Sequence, residues 1–102
     1  MTMRGFQKKY LKGLAHGLKP TVFVGHKGVT PAVIRSVDEA LDAHELIKVK
    51  FVDFKEKAHK MHFCDQIEQA NAAVRVGMIG HIAIFFRSHP DPDKRRIVLP
   101  ER

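Results

Sequence analysis

Thr21-Val22-Phe23-Val24-Gly25-His26-Lys27-Gly28-Val29-Thr30-Pro31 passes from a strand through a glycine-flanked loop into a helix, and the rest of the chain can be placed around it. The β-branched and aromatic run 21–24 fits a short buried strand that stops at Gly25. Thr30 is a good helix N-cap, and Pro31 falls at the first helical position, where its missing N–H costs nothing. The two glycines permit positive φ and let a polymer backbone approach without a Cβ in the way, and Lys27 adds a point charge. Free N–H groups in the first helical turn, at residues such as Ala32 and Val33, together with the helix dipole, favour a nearby phosphate. On this reading Gly28→Val should impair binding and leave the fold largely intact.

Outward from this unit, Phe6, Tyr10, Leu11, Leu14 and Leu18 gather on one side of a helix over residues 6–18. Lys8, Lys9, Lys12 and His16 gather on the other side, with Gly17 as C-cap and Pro20 blocking continuation. Downstream of the loop, Val33, Ile34, Val37, Ala40 and Leu41 repeat at helical spacing, while Arg35 lies off that stripe. Residues 46–51 alternate as a half-exposed strand, with Lys48 and Lys50 on the open face as an extension of the basic surface or as plain solvent residues. A third helix over residues 55–73 carries Ala58, Met61, Ile67 and Ala70 in a less clean pattern. Two β-rich runs, 74–79 and 82–87, flank Gly80-His81 as a hairpin with a type II′ turn, and 97–99 suits a short extended segment covering an edge. The order α-β-α-β-α-β-β over residues 1–102 describes one α/β domain with helices on a small mixed sheet.

Charge is distributed unevenly along the 102 residues, whose 18 Lys and Arg against 11 Asp and Glu give +7. Residues 1–37 hold Arg4, Lys8, Lys9, Lys12, Lys19, Lys27 and Arg35 and no acid, so the remainder is neutral and the first third carries the whole excess. Solubility requires net charge but not the removal of every acid from one end, so a polyanionic partner is the better explanation. One cysteine cannot form an internal bridge, and no 18-residue apolar run or signal-peptide pattern is present, so a cytoplasmic location and no membrane partner are expected.

Other chemistries find less support. Gly77-Met78-Ile79-Gly80 also matches GxxG, but it is apolar and its glycines suit strand geometry. The P-loop order is broken, since Lys27 precedes Gly28 and Val29 separates that glycine from Thr30, and GxGxxG is absent. His59, His62 and Cys64 lack a consistent facing and a fourth ligand for metal, and no nucleophile–base arrangement is evident. Neither catalysis, cofactor nor metal is therefore expected. Phe51, Phe54, Phe63, Phe85 and Phe86 could include a base-stacking platform, although core packing is the better assignment for most of them in a domain without Trp.

The runs Leu11-Lys12-Gly13-Leu14-Ala15-His16, Leu18-Lys19-Pro20, Val24-Gly25-His26-Lys27-Gly28-Val29-Thr30 and His44-Glu45-Leu46-Ile47-Lys48-Val49-Lys50 closely resemble the CRM domain, named for chloroplast RNA splicing and ribosome maturation. Its stand-alone bacterial YhbY-like members are the nearest form. The resemblance implies a four-stranded mixed sheet similar to the C-terminal domain of translation initiation factor three, and an RNA-binding GxxG loop, as in KH domains, here at Gly25 to Gly28. It further implies ribosomal RNA of large-subunit precursors as the partner. The expected contact set is Lys8, Lys9, Lys12, Lys19, Gly25, His26, Lys27, Gly28 and Arg35. A basic adaptor for an acidic protein on the ribosome or its precursor is the alternative.

Overall fold

Helices and strands alternate in the computed structural model, which describes residues 3–53 and 56–101. They are α1 (Gly5–Ala15), β1 (Val22–Val24), α2 (Pro31–His44), β2 (Leu46–Phe51), α3 (Lys57–Asn71), β3 (Val74–Ile79) and β4 (Ile82–Phe86), followed by a 3-10 turn at Pro92–Lys94. The expected element order and mixed four-stranded sheet are both present. Strand order is β1-β2-β4-β3, with β1 parallel to β2 and β4 antiparallel to both neighbours. Helix α2 supplies the crossover that a parallel pair demands, and the hairpin returns β4 into the slot between β2 and β3. Gly80 has φ 60° in that turn and His81 has no positive φ, in keeping with the type II′ reading.

Helices cover both faces of the sheet. On one face Val22, Val24, Val49, Phe51 and Phe85 pack with Val37 and Leu41 of α2 and Cys64 and Ile67 of α3. On the other, Leu46, Val76, Ile84 and Phe86 pack with Met3 and with Leu11 and Ala15 of α1. Two helical stripes differ from expectation. In α1 the buried residues are Leu11 and Ala15, while Tyr10, Leu14 and Leu18 are 41–43% exposed, because the helix rests on the sheet along a narrower seam than its apolar arc. Helix α1 also ends at Ala15 rather than Leu18, and Gly17 is not in the left-handed conformation of a C-cap. Instead Lys48 Nζ donates to the carbonyls of His16 (3.4 Å) and Leu18 (2.9 Å), supplying donors where the helix runs out of its own.

In α3 the inward face is Lys60, Cys64, Ile67 and Asn71, and Ala58 and Ala70 are exposed. Two polar residues could join that face because their heads find partners: Lys60 Nζ donates to Gly80 O at 3.1 Å and lies 3.2 Å from His81 Nδ1, and Asn71 Nδ2 donates to Ile34 O at 3.0 Å. A hydropathy pattern cannot anticipate this. Lys55, where the helix was expected to begin, lies outside the described residues.

The chain's end, residues 95–101, forms no paired strand, and Ile97 and Leu99 pack on the α1-side core. Its anchor is Glu45, the residue between α2 and β2, which has φ 63° and is 2% exposed. Glu45 Oε1 accepts from the N–H groups of Arg96 (2.6 Å) and Ile97 (3.1 Å), and Oε2 accepts from that of His89 (2.9 Å). Burial alone would raise this carboxyl's pKa, but the backbone donors of Arg96, His89 and Ile97 together outweigh it and hold the group below its ordinary value. Stability from Glu45 is therefore fully present above the ordinary carboxylate pKa of about 4.3 and is lost as pH falls through the lower folded value. Glu45→Gln should destabilise by about 1–3 kcal/mol at neutral pH and flatten the decline in stability below about pH 4.5, as read from urea unfolding across that range.

Candidate nucleic-acid interface

The glycine loop leaves the sheet at the end of β1, where Val52 N–H donates to Val24 O at 3.0 Å and extends the parallel pairing by one bond. Gly28 N–H then donates to Gly25 O at 2.9 Å, closing a tight turn whose two central residues, His26 and Lys27, are both exposed. The glycines play different parts. Gly25 has open space where a Cβ would stand. Gly28 is buried with φ 73°, and a Cβ there would meet Phe63 at 3.0 and 3.1 Å. Phe63 itself stacks on Phe51, with centroids 6.2 Å apart and planes at 19°. The left-handed φ and the ring behind Gly28 thus hold the turn, and the expectation that Gly28→Val spares the fold is not met.

Beyond the loop, Thr30 Oγ1 caps α2 by accepting from Val33 N–H at 3.2 Å, as its sequence position predicts. That bond uses the Val33 N–H expected to be available to an anion. Asp53 stands beside the loop, its Oδ2 3.8 Å from His26 Nδ1, so a carboxylate offsets part of the positive charge at the tip.

The predicted cations fall in four places. Lys8, Lys9 and Lys12 lie on α1, over one face of the sheet; Lys9 and Lys12 are exposed and Lys8 is half-buried. Lys12 is not fully outward: a Cβ on Gly77 of β3 would sit 2.5 Å from its Cε, so the aliphatic stem crosses the sheet and Gly77 is the residue that makes room for it. Lys27 occupies the loop tip, and Arg35 is exposed one turn into α2, in the opposite layer. Lys19 is at the other end of β1 from the loop, lining an apolar cleft with Leu14, Leu18, Thr21 and Arg96. Several carboxylates point elsewhere. Asp38 and Asp42 bind Arg87 at 2.7 and 2.9 Å, and Asp65 pairs with Arg75 at 3.7 Å.

Of the aromatic candidates, Phe51, Phe85 and Phe86 are fully buried and Phe63 is half-buried, while Phe54 lies outside the described residues. Phe23, which was not among those candidates, is 56% exposed, in the strand expected to be buried. As an edge strand β1 is covered by α2 on one face only, so Val22 and Val24 are buried and Phe23 between them is not. Cys64 is buried, and burial pushes its thiol up, away from a reactive thiolate. Among the described residues no group of three or more His, Cys, Asp or Glu is placed to hold a metal ion, and no helix is long and apolar enough to cross a membrane.

Comparison with known proteins bears on this arrangement. The family model of the CRS1 / YhbY (CRM) domain matches residues 3–87. A Haemophilus influenzae protein named as an RNA-binding protein is 38% identical over 99% of this chain and 98% of its own length. Proteins carrying the name probable RNA-binding protein are 34% identical in Pseudomonas aeruginosa, over 92% of this chain and 89% of theirs, and 31% identical in Bacillus subtilis, over 96% and 99%. The solution structure of a Staphylococcus aureus protein superposes with a TM-score of 0.80 at 27% identity, covering 97% of this chain and all of that one.

The two loop glycines are separable by stability. Gly28→Ala should cost about 1–2 kcal/mol from the left-handed backbone alone, with a further loss as the Phe63 ring gives way, whereas Gly25→Ala should leave the thermal midpoint near that of the wild type. Thermal or urea unfolding of both variants checks the contrast.

Proposed function

Because the chain belongs to the CRS1 / YhbY (CRM) domain family, we propose that it is a cytoplasmic RNA-binding protein, not an enzyme, and that its RNA is ribosomal, from precursors of the large subunit. The names of its relatives in Haemophilus, Pseudomonas and Bacillus support RNA as the partner, and the family resemblance carries the assignment to ribosome assembly. The observation that carries the mechanism is the loop tip: His26 and Lys27 stand out from a turn closed by the Gly28-to-Gly25 hydrogen bond, in a third of the chain that holds no acid.

In this reading Lys8, Lys9 and Lys12 capture the polyanion, with Lys19 and Arg35 contributing to the wider field. Gly25 lets the ribose-phosphate backbone come close, Lys27 and His26 contact phosphate, and Gly28 keeps the turn in shape against Phe63. Contacts of this kind position RNA and do not read its sequence, so affinity follows shape and strandedness. The alternative, an adaptor for an acidic protein, has one observation in its favour: Tyr10 and Leu14 of α1 and Leu18 just beyond it are exposed apolar residues. A partner retained after nuclease treatment would favour the adaptor.

Lys27→Ala should weaken binding across RNA sequences and reduce the slope of log affinity against log salt by about 0.7–0.9, the value of one phosphate contact. An unchanged slope removes Lys27 from the contact set. Asp53→Asn should act in the opposite sense and tighten binding, most visibly at low salt, because it removes the carboxylate beside the tip. Filter binding or fluorescence anisotropy over a salt series measures both.

A further inference from the structure

Four residues form one rung across the whole sheet on its α1 side: Phe23 pairs with Lys50, Lys50 with Ile82, and Ile82 with Ile79. Paired residues share a face, and the neighbours Val22, Val24, Val49, Phe51 and Ala83 belong to the opposite core. The adjoining rung on the same face, Lys48, Ile84 and Gly77, lies under α1, with the Lys12 stem over Gly77 and Lys48 Nζ on the carbonyls of His16 and Leu18 just past the helix. The Phe23 rung is the next one out, and α1 does not cover it. Phe23 is 56% exposed and Ile79 67%, and between these two edge residues Lys50 is exposed and Ile82 half-buried.

We infer that this open rung is a stacking site for a base of single-stranded RNA, with Phe23 as the platform. The inference rests on the RNA-binding reading and adds to it a place for the bases, which a backbone clamp by itself does not provide. Three observations favour a base over another apolar occupant. The ring has Lys50 beside it on its own rung, Lys12 reaches over the same face of the sheet at β3, and neither α1 nor the rung carries a carboxylate, which suits a ligand joining a flat apolar face to phosphates. The platform is continuous with the loop, since Gly25 follows Phe23 by two residues in the same extended segment, so a strand clamped at the loop can lay a base on the sheet. The ring also stands on a paired strand, fixed by its register with Lys50, and spends little entropy on becoming a platform.

The chain has no Trp, so Phe23→Trp creates a single fluorophore on the rung. Oligoadenylate should quench it as a base stacks, while inorganic polyphosphate, which binds the same cations without bases, should not. In anisotropy measurements Phe23→Ala should lower oligoadenylate affinity about tenfold and leave polyphosphate affinity unchanged. Phe23→Tyr should retain affinity, and Phe23→Leu, apolar without a π-face, should lose it. Equal quenching by both anions, or wild-type affinity in Phe23→Ala or Phe23→Leu, would overturn the stacking site and leave the RNA-binding reading standing. Failure of the wild type to bind either anion would overturn the RNA-binding reading itself.

Discussion

A helix is about 10 Å across, and a six-residue strand is about 20 Å long, so one helix lying across a sheet leaves roughly half of that face uncovered. Here α2 and α3 share one face, while α1 alone serves the other, helped at its edge by Ile97 and Leu99 of the chain's end. The arrangement follows from connectivity. Helices α2 and α3 are the crossovers between strands, whereas α1 precedes the sheet and has no second helix to lie beside it. An open, partly apolar band of β-sheet beside a lysine-bearing helix is the consequence.

The covered half is built with polar clamps as well as apolar contacts. Glu45 binds three N–H groups of the returning chain, and Lys48 donates to the carbonyls of His16 and Leu18 in the segment that leaves α1. Both residues therefore turn to internal structure in a molecule whose other charges are largely at its surface. Arg87 does the same in the opposite layer, donating to Asp38, Asp42 and the Asn71 carbonyl. These pairings also separate the signs of charge: carboxylates of α2 and α3 are held by Arg87 and Arg75, away from α1. Exposed pairs contribute little to stability, roughly 0–1 kcal/mol, so their placement matters more for the field around the molecule.

On the proposed reading, RNA meets two kinds of contact at this surface. Cations on α1 and at the loop tip act through a long-range, salt-sensitive attraction that is indifferent to sequence. Close approach of the main chain at Gly25 and the flat ring of Phe23 act only at contact distance. The geometry divides the two glycines of the loop: one keeps space open, and the other keeps the turn.

Read alone, the amino-acid order determined the order and type of the three helices and four strands, because periodicity, the Thr30-Pro31 cap and the Gly80 turn are local signals with local causes. It also located the basic third and the glycine loop, since charge and glycine content are carried by the chain itself. Tertiary structure decided what those signals could not reach: that β4 enters between β2 and β3, that Phe23 faces outward on an edge strand, and that Lys60 and Asn71 turn inward to partners distant in sequence. Lys48, Glu45 and Gly28 belong to the same class. Exposure and pairing depend on which segment arrives from elsewhere in the chain to cover a side chain, and no periodicity within the segment encodes that arrival.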